Sequence, residues 1–220
     1  MVKMILVNFK TYKSASGEYA DALARICEKV ISNSGLAIIP VVQAIDLYRV
    51  RQATSCKIFV QHIDPIAYGA CSGQINPHAV REAGASGTLL NHAERQINLD
   101  EITASIREAK DSGLASVVCV SDLDQIDTIV PYQPEYIAIE LPELIGGNVS
   151  ISIAKPDLIR NTVDRAGKIP VLCGAGIKSA IDVQKAFEYG ARGILISSGV
   201  TKAESPENCL RSLISGFPHG

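Results

Sequence analysis

Three ionisable side chains stand at or just past the ends of apolar, β-branched runs: Lys10 after MILVN at 4–8, His92 after GTLL at 87–90, and Glu140 closing YIAIE at 136–140. A carboxylate, an imidazole and an ammonium are the groups needed to move a proton beside a carbonyl. One acts as base, one polarises the oxygen, and the cation meets the negative charge that develops. Two further runs end in small residues: IPVLC at 169–173 leads into Gly174-Ala175-Gly176, and GILIS at 193–197 into Ser198-Gly199 after Ser197. Turns of this kind expose backbone N–H groups ahead of helices, an arrangement that suits phosphate. Each feature alone has an ordinary reading, as a solvated lysine, a structural histidine, a strand-end charge or a helix-entry turn. Their coincidence at one type of position is what points to chemistry.

The elements that would position them follow from periodicity. Apolar runs recur at 4–8, 36–40, 58–61, 87–90, 115–120, 136–140, 169–173 and 193–197, spaced roughly 25–30 residues apart over most of the chain. Most lack polar alternation, as parallel strands covered on both faces do. Between them, helical spacing of apolar residues predicts helices over 17–31, 98–110, 155–165, 178–188 and 206–214, with 121–135 reading as the shortest. Glycines at 35, 84, 113, 167 and 190 mark the helix ends. Eight alternating units with no linker predict a closed (β/α)8 barrel, one domain over 1–220 with some abbreviated helices. An open doubly wound sheet is second, and no GxGxxG follows the first strand. In a barrel the C-terminal strand ends form the active-site face, so all five polar termini would meet there.

Composition narrows the classes. A chain of 220 residues with 47% hydrophobic and 20% charged residues is that of a globular protein, and a net charge of −2 gives no reason to expect nucleic acid or an anionic membrane as partner. The first residues read as a strand rather than a signal sequence, and no window approaches the ~18 apolar residues of a membrane span. The six cysteines form no CxxC pair and predict free thiols in a reducing cytoplasm, with no disulfide, zinc or other metal site. Cys119 and Cys173 fall at strand ends and so near a site.

Taken in order, VNFKTY (7–12), QHIDP (61–65), GTLLNHAER (87–95), AIELPELIG (138–146), VLCGAGI (171–177) and SSGVTKAESPE (197–207) resemble the triosephosphate isomerase family, in its short archaeal form. The resemblance spans essentially the whole chain. It implies reversible interconversion of dihydroxyacetone phosphate and D-glyceraldehyde 3-phosphate through an enediolate, in glycolysis and gluconeogenesis, without a cofactor. By the same resemblance Glu140, His92 and Lys10 are catalytic. Asn8 contacts substrate, Glu94 holds the lysine, and Gly146, Gly174, Ser197 and Ser198 offer amides to phosphate, with Ile145, Ala175 and Gly199 adjacent. Residues 141–148 match a mobile lid, stiffened by Pro142 at one hinge and freed by Gly146 and Gly147 at the other.

The pattern also departs from the family. Relatives usually carry two prolines after the catalytic Glu and a Thr-Gly pair at the far hinge; here stand Leu141-Pro142 and Gly147-Asn148. Segment 66–77 matches the intersubunit loop only loosely, with Ser72 where a Thr often reaches the neighbouring site. The resemblance implies a homodimer or homotetramer, and the modest charged fraction leans to a moderate growth temperature and a dimer. The competing readings are a metal-dependent sugar-phosphate epimerase barrel and a non-catalytic phosphate-binding barrel.

Overall fold

The computed structural model describes residues 3–31, 36–147 and 149–218. Eight parallel strands close on themselves in sequence order: β1 (Met4–Asn8), β2 (Ala37–Val42), β3 (Phe59–Val60), β4 (Gly87–Leu90), β5 (Ala115–Val120), β6 (Tyr136–Ile139), β7 (Val171–Cys173) and β8 (Gly193–Ile196). The ring is completed by β1 against β8, with Met4 opposite Gly193 and Val7 opposite Ile196. The expected closed (β/α)8 barrel is therefore the observed architecture.

The helices outside it are α1 (Glu18–Ile31), α2 (Ala44–Ala53), α3 (Pro77–Glu82), α4 (Leu99–Asp111), α5 (Leu123–Ile129), α6 (Ile151–Ala154), α7 (Pro156–Ala166), α8 (Ala180–Glu188), α9 (Ser198–Thr201) and α10 (Pro206–Ile214). The five helices expected from periodicity are all present. The shortest is not in 121–135, however, because α5 runs seven residues before a 3-10 turn whereas α3 has six and α6 and α9 have four each. Pro77 at the first position of α3 and Gly84 at φ 105 just past it leave room for little more than a turn and a half. Gly113, Gly167 and Gly190 likewise hold the positive φ that helix ends favour. Gly35 and Asn148 lie outside the described residues.

Side-chain parity divides the core in two. Met4, Leu6, Ile39, Val41, Phe59, Leu89, Val117, Cys119, Ala138, Leu172 and Leu195 fill the barrel interior, while Ile5, Val7, Val118, Ile137, Ile139 and Ile194 face the helices. Continuing the inward parity one step along β1, β6 and β8 brings Asn8, Glu140 and Ser197 to the mouth. Both faces of every strand are covered, which is why the strands read as continuous apolar runs.

Candidate active site

Three of the four non-glycine residues with positive φ among the described residues sit directly beyond strand ends at the barrel mouth: Lys10 (φ 49), Asn91 (φ 56) and Ala175 (φ 62). Such backbone costs on the order of 1 kcal/mol or more per residue and persists where its surroundings over-determine it. At Lys10 the amide donates to Asn8 Oδ1 at 3.0 Å, and the carbonyl accepts from Gln61 Nε2 at 3.0 Å. Asn91 is clamped through both ends of its amide, Nδ2 to Cys119 O at 3.0 Å and Oδ1 from Ile97 N–H at 3.1 Å. The chain is bent sharply after β1, β4 and β7, and each bend aims a neighbouring group at the axis.

The aimed groups converge. Lys10 is buried, and its Nζ pairs with Glu94 Oε1 at 2.7 Å while the glutamate remains exposed. His92 Nδ1 accepts the Glu94 N–H at 3.2 Å, which requires that nitrogen to be unprotonated and leaves the ring proton on Nε2. Burial, with Lys10 nearby and against the pull of Glu94, lowers the His92 pKa, so the ring is neutral near pH 7. His92 Nε2 lies 3.5 Å from Glu140 Oε2.

Glu140 follows β6 and is buried, with Oε2 lacking any hydrogen-bond partner. Burial raises its pKa to about 7, despite the charge of Lys10 and a hydrogen bond donated by the Cys119 thiol. A carboxylate so poised is a competent proton acceptor at neutral pH. Gly174 supplies the space for it: a Cβ there would stand 2.5 Å from Glu140 Cγ and 2.7 Å from Oε1. The thiols of Cys119 and Cys173, both buried, are pushed up by burial and by the charge of Glu140, and remain protonated.

A cavity of about 170 Å³ opens above these groups. Asn8, Lys10, His92, Glu94 and Glu140 line one end, and Ile145, Gly146, Ala175, Ser197, Ser198 and Gly199 are also on its wall. Of the residues expected from the sequence, Gly174 alone is not a lining residue. It packs behind Glu140, and the turn meets the cavity through Ala175, Gly176, Ile177 and Lys178 instead. The start of α9 opens on the same space at Ser198 and Gly199, while the Val200 and Thr201 amides behind them donate to Ser197 O, each at 2.9 Å. Tyr12, its ring 4.2 Å beneath Lys202 Nζ, is a further wall residue that sequence reasoning missed. Gln61, Asn91 and Cys119 act behind the cavity. Asn91 and Cys119 had a sequence signal in their place at strand ends, and Gln61 only in the segment QHIDP.

The segment over the cavity is compact. Leu141 is extended, Pro142–Leu144 form a 3-10 turn, Ile145 N–H returns to Pro142 O at 3.2 Å, and Gly147 N–H to Leu144 O at 3.0 Å. Gly146 has φ 71, a value that glycine adopts freely. No group of three or more His, Cys, Asp or Glu among the described residues is placed to hold a metal ion. No helix among them is long and apolar enough to cross a membrane.

A family model described as "Triosephosphate isomerase" matches residues 3–215. The triosephosphate isomerase of Methanosarcina acetivorans is 40% identical over 214 residues, covering 96% of each chain. That of Methanocaldococcus jannaschii is 38% identical over 216 residues, covering 96% of this chain and 98% of its own. Among solved structures, the crystal structure of triosephosphate isomerase from Bartonella henselae superposes with a TM-score of 0.76 at 20% identity, over 97% of this chain and 99% of that one. At that identity the likeness bears on fold alone.

Proposed function

The chain belongs to the triosephosphate isomerase family, intramolecular isomerases that interconvert dihydroxyacetone phosphate and D-glyceraldehyde 3-phosphate, and from that premise we propose that Glu140, His92 and Lys10 carry out the proton transfer. Glu140 removes a proton from the carbon beside the carbonyl and returns it to the neighbouring carbon. His92, neutral and protonated on Nε2, donates to the substrate oxygens, and the Lys10 ammonium offsets the charge of the enediolate. A carboxylate base beside an uncharged imidazole is the family's known arrangement. The reading is carried by one observation: a buried carboxylate oxygen without a partner, 3.5 Å from a histidine nitrogen, at the floor of the cavity. An unsatisfied buried acceptor is costly unless a substrate proton is what it awaits.

Phosphate is assigned to the opposite wall, at the amides of 175–178 and 197–199. Residues 141–147 are assigned as the lid, a role for which this family is a known case of gating. Closure excludes water, which strengthens each of these interactions.

Self-association completes the reading. A second cavity, of about 420 Å³, lies beside Lys10 and His92 and is walled by Gln43, Ile45, Gln61, His62 and Ile75. Ile45 and Tyr48 on α2 stand 85% and 66% exposed at its edge of the molecule, more apolar surface than water favours. A second copy presenting its 66–77 segment there, as homodimer or homotetramer, accounts for both. All six cysteines are free thiols, which fits a cytoplasmic location.

A coupled assay of triose phosphate interconversion in EDTA tests the assignment on wild type and Glu140→Asp. Retraction of the carboxylate by about 1 Å lowers turnover by ~10²-fold or more. An inactive wild type would remove the isomerase reading, loss in EDTA would favour a metal-dependent epimerase, and an unaffected variant would place the base elsewhere.

A further inference from the structure

Asp182 is the third residue of α8 and completes a capping box with Ser179, where a carboxylate normally serves only its own helix end. Here its two oxygens serve different segments. Oδ2 accepts Lys178 N–H at 3.1 Å, Ser179 N–H at 2.9 Å and the Ser179 hydroxyl at 2.8 Å. Oδ1 accepts the hydroxyl of Ser150, 32 residues away, at 2.6 Å. Ser150 Oγ in turn lies 2.8 Å from Ser152 Oγ, and since the Ser150 proton is committed to Asp182, Ser152 is the donor of that bond. All three side chains are buried. Burial pushes the Asp182 pKa up, but the Ser150 and Ser179 hydroxyls and the Lys178 and Ser179 amides outweigh it, so the group stays ionised.

The two segments so joined belong to the site. Ser150 is where the chain returns to the barrel after the lid, and 175–178 is the turn at the phosphate end of the cavity. They also touch along their backbones: Ile151 N–H donates to Ala175 O at 3.2 Å, and a Cβ on Gly176 would lie 2.2 Å from Val149 O and 2.9 Å from Ser150 Cα. Two residues before Gly176 the same bend supplies Gly174, against which Glu140 packs.

Resting on the isomerase reading above, we infer that Asp182 is a positioning residue that ties the lid's return hinge to the phosphate turn through Ser150. When phosphate draws the turn onto itself, the Ser150–Asp182 bond carries the lid's far end with it, so closure depends on occupancy. A helix cap alone has no use for the bond to Ser150.

The test is the fate of the enediolate. Inside a closed site it is reprotonated. When the site opens, its C–O bond to phosphate breaks, inorganic phosphate leaves with the electron pair, and the remaining enol gives methylglyoxal. Ser150→Ala deletes the tie and leaves the α8 cap intact. Asp182→Asn keeps an acceptor for the cap but turns a donor toward Ser150. With folding verified by circular dichroism, both variants lose roughly tenfold in kcat and release phosphate in a roughly tenfold larger fraction of turnovers, as the loss of a charge-assisted hydrogen bond implies. Ser150→Thr, which keeps the hydroxyl, returns the fraction toward wild type. Folded variants with an unchanged phosphate-release fraction would overturn the inference while leaving the isomerase reading intact; an inactive wild type would remove both.

Discussion

At Glu140 the chemistry and the packing are the same problem. The carboxylate has a pKa of about 7 because it is buried, and it can be buried there because residue 174 has no side chain. Gly174→Ala forces the carboxylate away from its position, and kcat falls ~10²-fold with little change in KM, measured in the interconversion assay. A pKa raised in the fold from 4.5 to about 7 also fixes a sign. The fold favours the protonated acid, so the contribution of Glu140 to stability is fully present below about 4.5 and is lost as pH rises through about 7. Glu140→Gln removes that titration, and in urea unfolding the variant gains on wild type between those limits, by up to ~3 kcal/mol at pH 8. The kcat/KM of wild type is expected to run the other way, falling as pH drops below about 7, because the base proposed at Glu140 must be ionised to act. His92, Lys10 and Glu140 were legible because each interrupts or ends an apolar run. Gly176 was not, because which of three small residues in a turn faces the cavity depends on the bend at Ala175.

Among the elements, the helices differ in how openly the chain declares them. In α4, Asn98 Oδ1 accepts Glu101 N–H at 2.9 Å and Glu101 Oε2 accepts Asn98 N–H at 3.1 Å, a reciprocal cap that also ends the loop carrying His92. Asn98→Ala lowers the urea unfolding free energy by ~1 kcal/mol while kcat/KM changes less than twofold, because Asn91 and Glu94 continue to hold the loop. By contrast α2 escaped periodicity, and the reason is physical. Ile45 and Tyr48 put apolar surface on its outer side, so its sequence AIDLYRVRQA shows no single apolar stripe. A helix that is apolar on its inner and its outer side shows no single stripe.

For the molecule as a whole, that outer surface is the part of the barrel that one chain leaves uncovered. Wild type is expected to sediment at no less than twice the chain mass. Ile45→Glu, which places a charge where a partner would bury it, shifts the distribution toward monomer and raises KM in parallel, because the cavity beside Lys10 then opens to water. Equal sedimentation of wild type and variant at micromolar concentration would show that this face is not the contact.

The barrel class, the order of its strands and the three ionisable residues at its mouth were written in linear patterns, because parallel strands buried on both faces are apolar throughout and any polar interruption of them is conspicuous. The closing of β8 on β1, the neutral state of His92 and the elevated pKa of Glu140 arise from atoms brought together from distant parts of the chain. So does the pairing of Ser150 with Asp182, residues whose local sequence says only that one begins a short helix and the other caps one. Local patterns report which face of an element is dry. Protonation, strain and coupling depend on what stands on the other side of that face.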